Sequence, residues 1–324
     1  MKLFKYWLFA IMLAGAVLSG CGKDDPEPEP EPEGPDPNEA PALTQKINGF
    51  IKAAMTDIYL WYSTLPTIDI RYETDSKAYF KKLLNAEDKW SYITDDITAF
   101  ENSLEGKEKA YGYSLTFGRF VDGTGAPTGN YFGIVEYVYP NTPAARAGFQ
   151  RGDLLIKIND GNITATNYMD LLSGNQISVT KGILTTTGIA TGTSISMVAE
   201  ELELDPVLIK KVIEKEGHKI GYLLYTQYIA NYNTTSLAEA MQFFRDQQIT
   251  DLVLDLRYNP GGQTTAAQYL CSSIAPASNV EVNSPLVTYQ WNDKYQSVIN
   301  TNPAYAGWKG INFQSTVQIG RAHV

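Results

Sequence analysis

Residues 251–270 read DLVLDLRYNPGGQTTAAQYL, and this stretch decides how the C-terminal part of the chain folds. Its apolar beginning predicts a strand over residues 251–256 that is buried on both faces. Residues 263–274 predict a helix, and Gly261 and Gly262 form the turn between the two elements. Two adjacent glycines at such a junction mean either that the backbone only has to turn or that something has to come close to it.

The residues around this stretch alternate between strand and helix patterns. KIGYLLYTQY at 219–228 predicts a strand, and SLAE at 236–239 fits a capping box that opens a helix. The resulting β-α-β-α order over 202–318 predicts an α/β layer with a partly parallel sheet. Ligands bind at the carboxyl ends of strands in such sheets, and helix N-termini present unpaired N–H groups. The two glycines are therefore candidate donors to a developing oxyanion.

Composition excludes several function classes. The chain has 26 basic and 36 acidic residues and a net charge of −10, so we expect no nucleic-acid partner. The 2 cysteines, Cys21 and Cys271, and the 2 histidines, His218 and His323, leave almost no room for a zinc site. We predict no metal and no cofactor. A Ser-His-Asp triad would have to use one of these histidines, so a hydrolase here is expected to use another base.

The N-terminus has the pattern of a targeting segment. Two lysines and a short apolar run lead to LSGC at 18–21, which resembles the bacterial lipobox. We predict a lipoprotein signal peptide over 1–21 with acylation of Cys21, and a plain signal peptide is the alternative. The Pro/Glu-rich residues 22–41 predict an extended tether, and their Lys-Asp-Asp resembles the surface-export signal of Bacteroidetes lipoproteins. We expect a lipid-anchored outer-membrane protein, periplasmic or surface-exposed.

Residues 42–105 predict a small N-terminal helical domain. Apolar side chains recur at helical spacing ahead of Pro66, which ends the first helix, and a second helix is expected over 76–85. The expected apolar face consists of Leu43, Ile47, Phe50, Ile51, Ala54, Ile58 and Trp61.

Residues 110–200 predict a separate β domain. PNTPAARAGFQRGDLLIKINDG at 140–161 closely resembles a bacterial PDZ domain. That resemblance implies binding of a peptide C-terminus by strand addition, with backbone N–H groups holding the carboxylate. The candidate peptide-binding residues are Tyr111, Gly112, Tyr113, Ser114 and Leu115. In the alternative interpretation Gly112 serves an ordinary turn.

A family resemblance follows from KIGYL at 219–223 and DLRYNPGG at 255–262 behind a PDZ-like segment. This arrangement resembles the C-terminal processing, or tail-specific, serine peptidases of family S41. The resemblance implies a multi-domain α+β chain, an incomplete ClpP/crotonase-like α/β core and endopeptidase chemistry of the Ser-Lys type on polypeptides. It makes Gly261 the first choice of oxyanion donor beside Gly262. Asp255, Arg257 and Asn259 are expected to brace the turn.

The chain departs from that family after the glycine motif. The family's nucleophile segment, of the form L-T-x-x-x-T-A-S-A-S-E, and its later lysine have no counterpart, so Ser315 and Lys309 are not assigned these roles. IGRAHV at 319–324 reads as a translated sequencing adapter, which predicts a non-native tail and a truncated, catalytically inactive chain. The alternative is a non-catalytic lipoprotein that binds peptides through a PDZ domain on a degenerate peptidase core.

Overall fold

A computed structural model describes residues 36–276, 281–316 and 319 of the chain. The predicted signal peptide with Cys21, most of the predicted tether and most of the predicted tail lie outside these residues. None of the helices within the described part has both the length and the apolar character needed to cross a bilayer.

The N-terminal part is helical, as expected. Its helices are α1 Ala42–Ile58, α2 Ser76–Leu83 and α3 Ile97–Leu104. The carboxylate of Asp75 accepts hydrogen bonds from the first-turn N–H groups of α2, and that of Asp96 does the same for α3, which fixes where these helices begin. The core of this domain consists of Ile51, Met55, Tyr59, Tyr79, Phe80 and Leu83.

The predicted apolar face of α1 is only partly correct. Leu43 and Phe50 are 69% and 75% exposed, and α1 ends at Ile58, before Trp61. The buried side of the helix carries the polar Asn48 instead, whose side-chain amide donates to the carbonyl of Glu73 at 2.8 Å. The neighbouring 3₁₀ turn, Ile70–Tyr72, and α2, rather than the apolar spacing, therefore decide which side of α1 is buried.

The second part is a PDZ-like domain built on one six-stranded sheet. The strand order is β2-β3-β5-β4-β6-β7, so β2 is an edge strand, while β1 and β8 pair separately and connect the domain to its neighbours. The elements are β1 Lys107–Ala110, β2 Tyr113–Val121, β3 Pro127–Val138, α4 Pro143–Arg146, β4 Leu154–Ile158, β5 Gly161–Thr164, α5 Tyr168–Leu172, β6 Gln176–Thr185, β7 Gly188–Val198 and β8 Glu200–Glu203.

The third part is an α/β core. Its central strand β10 pairs antiparallel with β9 and parallel with β11, which confirms the partly parallel sheet. Helices α6 and α7 lie before and after β11 in the chain, and their apolar sides pack with the sheet in one core cluster. The elements are β9 Val207–Lys215, β10 His218–Tyr225, α6 Ala238–Asp246, β11 Asp251–Asp255, α7 Thr264–Ile274, β12 Pro285–Thr288, α8 Asp293–Thr301 and β13 Gly310–Asn312.

The predicted capping box at 236–239 is wrong. Helix α6 begins only at Ala238, and no side chain caps its N-terminus. The hydroxyl of Ser236 donates instead to the carboxylate of Asp205 at 2.7 Å. This partner lies 31 residues away, so the local pattern could not reveal it.

The prediction that the strand over 251–256 is buried on both faces is also wrong. Val253 in β11 is 47% exposed, whereas Leu252 is 5% exposed. Strand β11 pairs only with β10 within the described residues, which makes it an edge strand there. The face that carries Leu252 packs in the core cluster with α6 and α7, whereas the face that carries Val253 is left exposed.

Candidate functional site

The glycine turn, residues 259–262, is positioned by the end of β11. The carboxylate of Asp255 accepts hydrogen bonds from the backbone N–H of Arg257 at 3.1 Å, from its guanidinium Nη2 at 2.7 Å and from the hydroxyl of Tyr222 at 2.6 Å. The bond from Arg257 holds the pKa of this carboxyl far below its usual range, against the opposing effect of burial. Asp255 therefore stays ionised and fixes the chain where the strand ends.

Asn259 connects the turn to the neighbouring strand. Its side-chain Nδ2 donates to the carbonyl of Tyr225 at 3.1 Å, and its Oδ1 accepts from the backbone N–H of Gly261 at 2.8 Å. These contacts give Asp255, Arg257 and Asn259 the positions of bracing residues around the turn. They also mean that the N–H of Gly261 already has an acceptor.

The two glycines have different surroundings. Gly262 forms a parallel bridge with Tyr228, and a Cβ at Gly262 would lie 2.3 Å from the carbonyl oxygen of Tyr228. A Cβ at Gly261 would meet nothing within 4 Å, although its φ of +113° is one that side-chain-bearing residues rarely adopt. Glycine is therefore needed at position 261 for the backbone conformation, and at position 262 because the backbone of Tyr228 lies so close.

The free donor of the turn is Gly262. In the part of the chain that the structure describes, its N–H has no hydrogen-bond acceptor, whereas that of Gly261 is held by Asn259. Helix α7 begins two residues later at Thr264, so this N–H lies just ahead of a helix N-terminus. The geometry reverses the expected order of the two glycines, and the oxyanion role itself stays a prediction.

Tyr258, the variable position of the motif, connects the core to the PDZ-like domain. Its ring lies 5.1 Å from the guanidinium of Arg151 and 5.8 Å from the ring of Tyr137. A buried hydrogen bond of 2.7 Å between the hydroxyls of Tyr139 and Thr226 joins the same two domains. The sequence offered no signal for this role, because Arg151 and Tyr258 are paired only by the fold.

The carboxylate loop, residues 111–115, lies at the start of the edge strand β2. Gly112 has a φ of +83°, and its carbonyl accepts from the N–H of Tyr139 at 2.8 Å. The Tyr111 hydroxyl donates to the carbonyl of Gly174, and this tyrosine is 5% exposed. Within residues 36–276, 281–316 and 319 the N–H of Gly112 has no acceptor. A donor for a peptide carboxylate is thus available here.

A groove runs beside this loop between β2 and α5. This first cavity, of about 450 Å³, brings together four of the five predicted residues, Tyr111, Tyr113, Ser114 and Leu115. It is also lined by Lys109, Leu172, Ser173 and Asn175, which the sequence analysis did not single out. Among the described residues the ammonium group of Lys109 has no carboxylate within salt-bridge distance. The position of Lys109 in the sequence, two residues ahead of the loop, was the signal that could have identified it as a groove residue.

The side chain of Ser114 binds within the domain and does not face a bound peptide. Its hydroxyl donates to the carboxylate of Glu136 on β3 at 2.7 Å, on the opposite face of β2 from Tyr113 and Leu115. Burial raises the pKa of Tyr113, so its phenol stays neutral at ordinary pH. Tyr113 and Leu115 therefore give the β2 side of the groove an uncharged surface, while Lys109, Ser173 and Asn175 add polar groups to its lining.

Three family models match the chain in the order of its domains. The Peptidase S41 N-terminal domain matches residues 46–92, a PDZ domain matches 134–180, and Peptidase family S41 matches 219–307. These segments correspond to the helical domain, to the PDZ-like domain and to the core with the glycine turn.

Similar proteins are C-terminal processing proteases. A carboxyl-terminal-processing protease from a Picosynechococcus species is 31% identical over 38% of this chain and 30% of its own length. The carboxy-terminal processing protease CtpB of Bacillus subtilis is 26% identical over 60% of this chain and 42% of its own length. The chain thus spans less than half the length of these curated relatives.

A solved structure supports the same relationship. The crystal structure of an S41 protease from Bacteroides fragilis is 27% identical, with a TM-score of 0.55, and the alignment covers 82% of this chain and 69% of that one. The shared order of helical, PDZ and α/β domains, together with the matched glycine motif, places this chain in peptidase family S41.

Proposed function

We propose that this chain is part of a tail-specific serine endopeptidase that acts on polypeptides. The observation that carries the proposal is the N–H of Gly262, which has no acceptor among the described residues and is held at the end of a parallel strand pair by Asp255 and Asn259. A rigid donor at this place is suited to stabilise the negative charge of a tetrahedral intermediate, because it needs no reorganisation during the reaction. The family match and the similar processing proteases support the same chemistry.

The PDZ-like domain supplies substrate binding in this proposal. Lys109 lines the groove, and the N–H of Gly112, without an acceptor among the described residues, belongs to the loop beside it, so that a C-terminal carboxylate would accept hydrogen bonds and find a counter-charge. The edge of β2, which pairs with no strand in the described part of the chain, then takes the peptide backbone as an additional strand. A peptide C-terminus, rather than an internal segment, fits this arrangement.

The nucleophile and base complete the proposal. By resemblance they are a serine and a lysine, and we place them outside the 324 residues, so that the chain alone is inactive. A lysine can act as a base when burial keeps it neutral. The anchor is acylated Cys21, which places the protein at the outer membrane, periplasmic or surface-exposed. The LSGC sequence at 18–21 and the following Pro/Glu-rich residues support this location.

A second candidate function is non-catalytic peptide binding. It is favoured by the first cavity, which lies beside the carboxylate loop and the edge strand β2. In this case the glycine turn only joins β11 to α7.

One experiment separates the two functions. The nucleotide sequence of the locus is read beyond codon 318, and hydrolysis of a fluorogenic peptide is compared between the 324-residue chain and the chain continued through that frame. We expect the frame to encode a serine in the family context and a later lysine, and only the continued chain to turn over. A frame without these residues, or a continued chain that binds peptides without cleaving them, would establish the binding protein.

A further inference from the structure

A second cavity lies on the PDZ-like domain, beyond the groove that begins at the carboxylate loop. Its volume is about 240 Å³, and none of the described residues that line it is charged. Phe117 of β2 lines both cavities, and its ring meets that of Tyr168 at the start of α5 edge-on at 5.4 Å. This aromatic pair is the wall between them. The lining residues of the second cavity are Phe117, Tyr131, Ile163, Thr164, Ala165 and Tyr168.

The pairing of the strands shows that the side chains around this cavity lie on the same face of the sheet as Tyr113. Arg119 of β2 is paired with Tyr131 of β3, and Tyr131 is paired with Ile163 of β5. Directly paired residues point to the same face, and alternate residues along a strand share that face. Phe117, Tyr131 and Ile163 therefore project to the face that carries Tyr113.

The register of a bound peptide follows from the same geometry. The carboxylate lies at the start of β2, so the peptide runs antiparallel to this strand. If its last residue is opposite Tyr113, the third residue from the end is opposite Leu115 and the fifth is opposite Phe117. These three side chains of the peptide share one face because the period of a strand is two residues. The fifth residue from the end thus reaches the wall of the second cavity.

We infer that the PDZ-like domain selects polypeptide C-termini that carry an apolar side chain at the fifth residue from the end. This side chain enters the second cavity over Phe117, which is 36% exposed. The inference rests on the proposed function, that β2 binds peptide C-termini. A charged side chain is rejected because the cavity offers no counter-charge for the hydration it would lose.

The test uses fluorescein-labelled peptides and the purified chain. The first peptide is Gly-Ser-Leu-Ser-Val-Ser-Leu, and the second has serine in place of leucine at the fifth residue from the end. We expect fluorescence anisotropy to show about ten-fold weaker binding of the second peptide, as expected for loss of one largely buried leucine side chain. Both peptides are also measured with an amidated C-terminus.

Two variants locate the effect. Phe117→Ala removes the wall, and we expect it to reduce the preference for leucine to less than about two-fold. Phe120→Ala is the matched control, because Phe120 lies on the opposite face of the same strand, where its ring packs on Phe132 at 5.0 Å. This control is expected to keep the full preference.

Each outcome decides the inference. Equal binding of the two free peptides, both tighter than their amidated forms, overturns it and leaves the proposed function intact. Equal binding of free and amidated peptides overturns the proposed function, and the inference with it. If Phe117→Ala binds no peptide, the Ala165→Phe variant is measured in its place. The new phenylalanine side chain fills the second cavity from an exposed position at its rim. Loss of the preference in that variant supports the inference, and a retained preference overturns it.

Discussion

The glycine turn of the core and the carboxylate loop of the PDZ-like domain have the same backbone feature, but a different group lies beside the glycine in each. Both hold a backbone N–H free of acceptors among the described residues, and both use glycine at positive φ. At Gly112 the space that a Cβ would fill belongs to Thr142, whose own Cβ would be 2.3 Å away. At Gly262 that space belongs to the carbonyl of Tyr228, also at 2.3 Å.

The difference lies in what can move. Thr142, which is 4% exposed, contacts Gly112 through its side chain. Its Cβ moves only with the backbone, so a shift would move the turn ahead of α4 and cost the 2.8 Å bond from its hydroxyl to the carbonyl of Tyr139. Tyr228 contacts Gly262 through its backbone, and its N–H and carbonyl are bound to Gly261 and Gln263. A shift there would separate the end of the β10 segment from the start of α7. We conclude that the core turn is the more rigid of the two.

The largest effect that this comparison predicts is for Gly262→Ala. The variant combines an unfavourable φ of +134° with a backbone clash, so we expect the free energy of unfolding to fall by about 3 kcal/mol. Gly261→Ala is the matched control, since its φ is also unfavourable but its Cβ would meet open space, and it should cost about 1–2 kcal/mol. Urea unfolding followed by circular dichroism measures both. An equal loss of stability in the two variants would show that the backbone contact at Gly262 adds no rigidity to the core turn.

A smaller effect is predicted for Gly112→Ala. The new methyl group displaces Thr142 and strains a φ of +83°, which should cost about 2 kcal/mol. Gly148→Ala is its control, because Gly148 has a similar φ of +76° but nothing within 4 Å of the added Cβ. We expect about 1 kcal/mol for the control, measured by the same urea unfolding. If Gly112→Ala were more damaging than Gly262→Ala, the carboxylate loop would be the more rigid site.

The part of the site that could be predicted from sequence is local in the chain. The apolar run, the double glycine and the helical pattern after it lie within 20 consecutive residues, and each acts on its immediate neighbours. The bonds of Asp255 to Arg257 span only two residues. The PDZ-like segment at 140–161 was recognisable for the same reason, because its turns and strands follow one another without insertions.

The part that could not be predicted depends on distant residues. Asn259 takes up the N–H of Gly261 in a rotamer fixed by the carbonyl of Tyr225, 34 residues earlier in the chain. The stacking of Arg151 on Tyr258 joins two domains. The second cavity of the PDZ-like domain uses three strands and a helix start, none of which marks it alone. Periodicity locates a face of an element, but the tertiary partners decide what that face does.

The smallest predicted effect is a loss of stability in acid, which should occur in the glycine turn but not in the carboxylate loop. The folded pKa of Asp255 is held below its ordinary value, 3.8, so its contribution to stability is fully present above that value. The contribution is lost as pH falls through the folded pKa. The phenols of Tyr111 and Tyr113 in the carboxylate loop are neutral at acid and at neutral pH, and burial raises the pKa of Glu108 just ahead of the loop, so acid should not weaken it.

Amide hydrogen exchange measured by mass spectrometry at pH 6 and pH 3, corrected for intrinsic rates, tests this contrast. We expect protection of residues 255–265 to fall by about 1 kcal/mol in acid, while that of residues 108–116 does not fall, because protonation of Glu108 relieves the cost of burying its charge. Asp255→Asn should lower protection at pH 6 and flatten the dependence on pH. Asp122→Asn, in the turn after β2, is the matched control, because the pKa of Asp122 is also lowered but by bonds within its own turn. A pH dependence that survives in Asp255→Asn would assign the acid sensitivity of the glycine turn to another group, and the two turns would then differ in packing alone.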